Sequence, residues 1–127
     1  MLKVITTYTP EAATLENNRA TLNLGSQEGE FFPYDLLLGA LSACFRATLY
    51  DILTKRKEIF PSMEIVVSGE KRKEVPTTLE WVRMDITVIG VENQEQFLRN
   101  VDLAAKYCSI HETLSKVARM SHEVHFQ

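Results

Sequence analysis

The chain has 127 residues, 45% hydrophobic and 24% charged, with five glycines, four prolines and a formal net charge of −3. That length suits a single domain over 1–127 with one hydrophobic core, and the composition is that of a folded protein without low-complexity repeats. The charge balance offers no basic field for nucleic acid, because the Lys71-Arg72-Lys73 run is flanked by Glu70 and Glu74 and reads as a solvated strand end or turn.

The opening LKVITTYT is rich in β-branched residues and is predicted to be a strand. It lies within a start, MLKVITTYTP, that lacks the apolar core and small-residue cleavage site of a secretory signal, so a cytoplasmic location is expected. Glu16-Asn17-Asn18 makes a turn, and Arg19 to Leu24 returns as a second strand, giving a hairpin. Gly25 and the polar residues after it form a loop into the longest element of the chain.

That element, PYDLLLGALSACFRATLYDILTKRK, is predicted to be one helix from Pro33 to Lys57. Pro33 suits the first turn, where the missing N–H has no partner to lose. Asp35 near the start and Lys55, Arg56 and Lys57 at the end complement the helix dipole. Leu36 to Phe45 carries no charge, so this half is apolar nearly all round and belongs in a core. Those ten residues are shorter than the roughly 20 of a membrane span, and Arg46 and Asp51 follow, so no membrane is expected as a partner.

Beyond the helix, Met63 to Gly69 reads as a strand, with Pro61 limiting where it starts. A polar connector containing Pro76 leads to Leu79–Ile89, where Val82, Met84, Ile86 and Val88 alternate strictly and define a core face. Asn93 with Gln96 three residues later marks a helix start, and Phe97, Leu98, Val101, Ala104, Ala105 and Cys108 make its apolar stripe. Ser109 and Glu112 have capping-box spacing, so a further helix is predicted to begin there, and Met120 to Gln127 closes the chain as a strand. Neither GxGxxG nor a P-loop joins a strand to a helix, which argues against a nucleotide-binding fold. The order describes an α+β domain whose sheet wraps one side of a central helix.

Two cysteines, Cys44 and Cys108, are too few for a structural zinc site unless histidines join them, and His111, His122 and His125 lack the necessary spacing. Leu37, Leu41, Cys44 and Thr48 share one helical stripe, and Phe97, Val101, Ala104 and Cys108 share another. If those faces pack together the two sulfurs meet; otherwise each cysteine is a small apolar filler. Cys108, in front of a predicted helix and near His111, has the dipole to favour a thiolate. Cys44, in mid-helix, needs a cation from elsewhere, with Arg19, Arg83, Arg99 and Arg119 formally available.

PYDLLLGALSACF, followed downstream by KYCSIHETL, resembles the OsmC/Ohr family of thiol-dependent hydroperoxide reductases. The shared pattern is a proline, an acidic residue close behind it, an apolar helix with small residues before a cysteine, and a second cysteine in a C-P-x-S-like turn. The resemblance runs from Pro33 to about Leu114. It implies an OsmC-like fold in which a long central helix is enclosed by antiparallel sheets in an intertwined homodimer. It further implies that Cys44 is the peroxidatic and Cys108 the resolving cysteine. The substrate would be an organic hydroperoxide and the reductant an external dithiol, with no metal or organic cofactor.

Two positions depart from the pattern. Where the best-studied branch has a glutamate directly after the helix-starting proline, this chain has Tyr34, with Asp35 one place later and about 100° further round the helix. Asp35 is therefore either that glutamate's replacement or an N-terminal helix charge. Arg19, the sole arginine before the helix, is by location the candidate for the family's catalytic arginine; otherwise it is an exposed strand residue. The second motif has Ser109 where proline is usual. These departures keep open a second reading, an OsmC-like binding protein for a small apolar ligand without peroxidase activity, and a third, a purely structural assembly domain.

Overall fold

The computed structural model describes residues 1–127. The elements, in order, are β1 (Ile5–Tyr8), β2 (Ala13–Glu16), β3 (Thr21–Asn23), α1 (Pro33–Lys55), β4 (Ser62–Lys71), β5 (Leu79–Ile89), α2 (Gln94–Tyr107), α3 (Ser109–Ser115) and β6 (Arg119–Phe126). The chain divides into two units, Met1–Leu37 and Leu38–Gln127.

The first unit is a three-stranded antiparallel meander, not the single hairpin expected. β1 pairs with β2 from Ile5↔Glu16 to Tyr8↔Ala13, and β2 pairs with β3 from Thr14↔Asn23 to Glu16↔Thr21. Both turns are held by side-chain oxygens acting on nearby amides. Thr9 Oγ1 accepts from the Ala12 N–H at 3.1 Å, and Asn17 Oδ1 accepts from the Arg19 and Ala20 N–H groups at 2.8 Å each. The turn expected at Glu16-Asn17-Asn18 is therefore the second of two, and β2 occupies residues that show no alternation of their own.

In the second unit the strand order is β4-β5-β6. β5 is the middle strand, which explains why its Val82, Met84, Ile86 and Val88 are buried as the alternation predicts. β4 pairs antiparallel to β5, whereas β6 pairs parallel to it, from Trp81↔Arg119 to Val88↔Phe126. The expectation of antiparallel sheets is corrected on this point. β5 and β6 are joined through α2 and α3, and such a helical crossover returns the chain to the same end of the sheet, where parallel pairing follows. Asn93 caps α2 as anticipated, its side chain accepting from the Gln96 N–H at 3.0 Å.

Within α1 the buried residues are Leu41, Phe45, Leu49 and Leu53, four apart on one stripe and at most 1% exposed. Cys44 is half-buried beside that stripe, while Gly39, Ala43, Ala47 and Tyr50 are exposed. By length and mean hydropathy α1 is also able to cross a bilayer, which its ten-residue uncharged run did not suggest. Its buried stripe belongs to the core that it shares with the inner residues of β5 and with Phe97, Val101 and Ala104 of α2. A core helix of this kind passes the same test. Phe97 also meets Phe126 of β6 edge-on, with ring centroids 6.1 Å apart.

Candidate active site

Cys108 occupies the corner between two helices. Its N–H donates to the Ala104 carbonyl at 2.8 Å and closes α2, and its Sγ accepts from the His111 N–H at 3.4 Å and opens α3. The cap of α3 is thus Cys108, one residue earlier than the Ser109 capping box predicted. The residue is fully buried.

The thiol of Cys44, on α1, lies near enough to that of Cys108 for the two to influence each other's ionisation, so the two helical stripes place both cysteines in one site. Cys44 Sγ also lies 3.8 Å from Ser109 Oγ. Its backbone carbonyl accepts from Thr48 Oγ1 at 3.0 Å, a bond within α1 that leaves the thiol free to face α3. Neither cysteine is in a disulfide.

The two thiols are shifted in opposite directions. Burial raises the Cys44 pKa, but hydrogen bonds outweigh it: those from the Ile110 N–H, the Cys108 thiol, and the hydroxyl and N–H of Ser109 bring it below the ordinary 9.0. Cys108 is pushed up, first by burial and then by the neighbouring Cys44, against the opposing His111 and Ile110 N–H groups. This reverses the expected assignment of electrostatic help. The amides at the start of α3 reach Cys44 across the gap between helices, so a thiol in mid-helix gains donors that its own helix cannot supply. His111, pushed below 6.5 by burial and by nearby His122, adds no cation beside Cys108 at neutral pH.

Of the arginines considered as partners for Cys44, Arg83, Arg99 and Arg19 have other contacts. Arg83 pairs with Asp85 at 2.9 Å and also with Glu123, and Arg99 donates to Gln96 Oε1 at 2.9 Å. Arg119 is exposed on β6. Arg19 and Asp35 belong to the first unit and have local partners there. Arg19 Nη1 is 3.4 Å from Asn18 Oδ1, and Asp35 Oδ2 accepts from the Phe32 N–H at 2.9 Å, the position of a helix-starting carboxylate.

Asp85, Glu123 and His125 place potential metal-ligating atoms within 4.8 Å of one another on the outer side of the second sheet. Arg83 bridges both carboxylates and His125 Nε2 is 3.2 Å from Asp85 Oδ1, so the cluster is an internally compensated ion network.

Residues 25–123 match the family described as OsmC-like protein. The chain belongs to the OsmC-like family. Protein YhfA of Escherichia coli K12 is 28% identical to it over 92 residues, which are 71% of this chain and 69% of YhfA. Among solved OsmC-like structures, one from Mycoplasma pneumoniae superposes with a TM-score of 0.86 at 16% identity, covering 98% of this chain and 95% of that one. The organic hydroperoxide resistance protein OhrB of Bacillus subtilis superposes with a TM-score of 0.72 at 15% identity, covering 97% and 98% of the two chains. At such identities the superpositions establish the fold, which is the OsmC-like α+β fold expected from the sequence.

The residues that sequence reasoning missed are Ser109 and Ile110. A usable signal was their position directly after Cys108: whatever brings Cys108 to Cys44 brings the next two backbone N–H groups with it.

Proposed function

We propose that this chain reduces organic hydroperoxides, with Cys44 as the attacking thiol and Cys108 as the resolving one. The observation that carries the reading is the proximity of two free thiols with opposite shifts, Cys44 below and Cys108 above the ordinary thiol value. Cys44 as thiolate attacks the peroxide oxygen; the S–O bond forms as the O–O bond breaks, and the alkoxide takes up a proton and leaves as alcohol. The sulfur is now a sulfenic acid. Cys108, still carrying its proton, condenses with it to give the disulfide and water, and an external dithiol reduces that bond by exchange. The name of the Bacillus subtilis OhrB is consistent with a hydroperoxide substrate.

The reading includes a homodimer. Gly39, Ala43, Ala47 and Tyr50 of α1 are exposed although the helix is apolar, and Phe31 and Phe32 are exposed just before it. A second copy is the partner that would cover such a helix face. It also includes a reducing cytoplasmic setting, in which both thiols persist between turnovers.

The engagement of Asp35 with the Phe32 N–H, and Tyr34 beside it, favour one alternative, a ligand-binding member without peroxidase chemistry. Trapping decides between them. In Cys108→Ser, cumene hydroperoxide followed by dimedone should label Cys44 stoichiometrically; an unlabelled Cys44 would support the binding protein.

A further inference from the structure

The geometry points to Ser109 as a positioning residue for the Cys44 thiolate, its hydroxyl donating to Cys44 Sγ from 3.8 Å across the gap between α1 and α3. The functional consequence rests on the peroxidase reading above; the physical claim does not. A thiolate has no proton, so in the ionised state only the serine O–H of this pair can donate. The bond then becomes charge-assisted, while with the neutral thiol it is a weak sulfur contact. It therefore favours the anion over the thiol.

The hydroxyl is held in place by its backbone. Cys108 is extended, with φ −70° and ψ 116°, and is fixed by its N–H to Ala104 and by its carbonyl, which accepts from the Glu112 N–H at 3.0 Å. The carbonyl of Ser109 itself accepts from Thr113 Oγ1 at 3.0 Å. Only the serine rotor is left to set, and one rotation aims it at Cys44. The residue is exposed, so water competes for the same sulfur and the effect is bounded.

The test is the pH dependence of Cys44 alkylation in the reduced full chain, read by mass spectrometry for the parent, Ser109→Ala and Ser109→Thr. Removing the hydroxyl should raise the apparent Cys44 pKa by about 0.5–1 unit, slowing alkylation below that pKa roughly three- to tenfold. The threonine variant, which retains an O–H, should titrate with the parent. Ser109→Gly removes the same hydroxyl and carries the test if the alanine variant is unstable. A hydroxyl-free variant that titrates with the parent overturns the assignment, as does a threonine variant that shifts as far as alanine. Peroxide consumption is scored separately: a hydroxyl-dependent shift in a protein that consumes no peroxide supports this assignment and overturns the peroxidase reading.

Discussion

Cys108 Sγ accepts the His111 N–H at 3.4 Å, so the thiol that meets Cys44 is also the cap that starts α3. Redox state and local structure are thereby linked, because a sulfur drawn into a bond with Cys44 is repositioned relative to that amide. Hydrogen exchange at the His111 amide should be faster in the Cys44–Cys108 disulfide form than in the reduced form. Cys108→Ser, whose hydroxyl caps well, should keep the amide protected, whereas Cys108→Ala should lose that protection and be the less stable of the two variants. Denaturant melts and exchange mass spectrometry read both.

The opposite thiol shifts set an order of titration. Cys44 ionises below the ordinary 9.0 and Cys108 above it, so as pH rises the thiolate appears first at Cys44. The rate of peroxide consumption should therefore climb with pH through a single thiol ionisation below 9.0 and then level. Iodoacetamide at neutral pH should modify Cys44 in preference to Cys108, which peptide mapping will distinguish.

Arg83 is committed to Asp85 and Glu123, so it should contribute nothing to the thiol. Arg83→Gln should leave the alkylation profile of Cys44 unchanged, and it should make thermal stability more dependent on salt, because Asp85 and Glu123 lose their shared counter-ion. A lowered Cys44 reactivity in this variant would restore the cation that the amides of α3 are taken to replace.

Phe45, next to Cys44 in sequence, is fully buried on the α1 stripe. Phe45→Ala should cost about 3–5 kcal/mol in a urea melt, by lost transfer and the cavity left behind. The same change should blunt the difference in reactivity between the two thiols, since their contact depends on the seat of α1.

Much of the second unit was legible in the chain itself. β5 has the bounds that alternation marked, because a middle strand with one buried face must alternate, and the Asn93 cap is a local motif that needs no tertiary partner. What failed was non-local or chemically unusual. β2, only four residues long, is defined by its two neighbours more than by its own pattern. The parallel direction of β6 depends on the crossover through α2 and α3. The α3 cap was misplaced by one residue because a thiol is not among the usual capping groups. The helical stripes read from the sequence anticipated that Cys44 and Cys108 would face one another closely enough to influence each other's ionisation, but the donors to Cys44 lie on another helix, and no spacing within α1 records them.

The most direct measurement is stopped-flow consumption of cumene hydroperoxide by the fully reduced protein, with Cys44→Ser alongside. The expected result is rapid consumption of one equivalent per chain with formation of the Cys44–Cys108 disulfide, and none in Cys44→Ser. A parent protein that leaves the peroxide intact, or a Cys44→Ser variant that consumes it at the parent rate, would contradict the assignment of Cys44 as the attacking thiol.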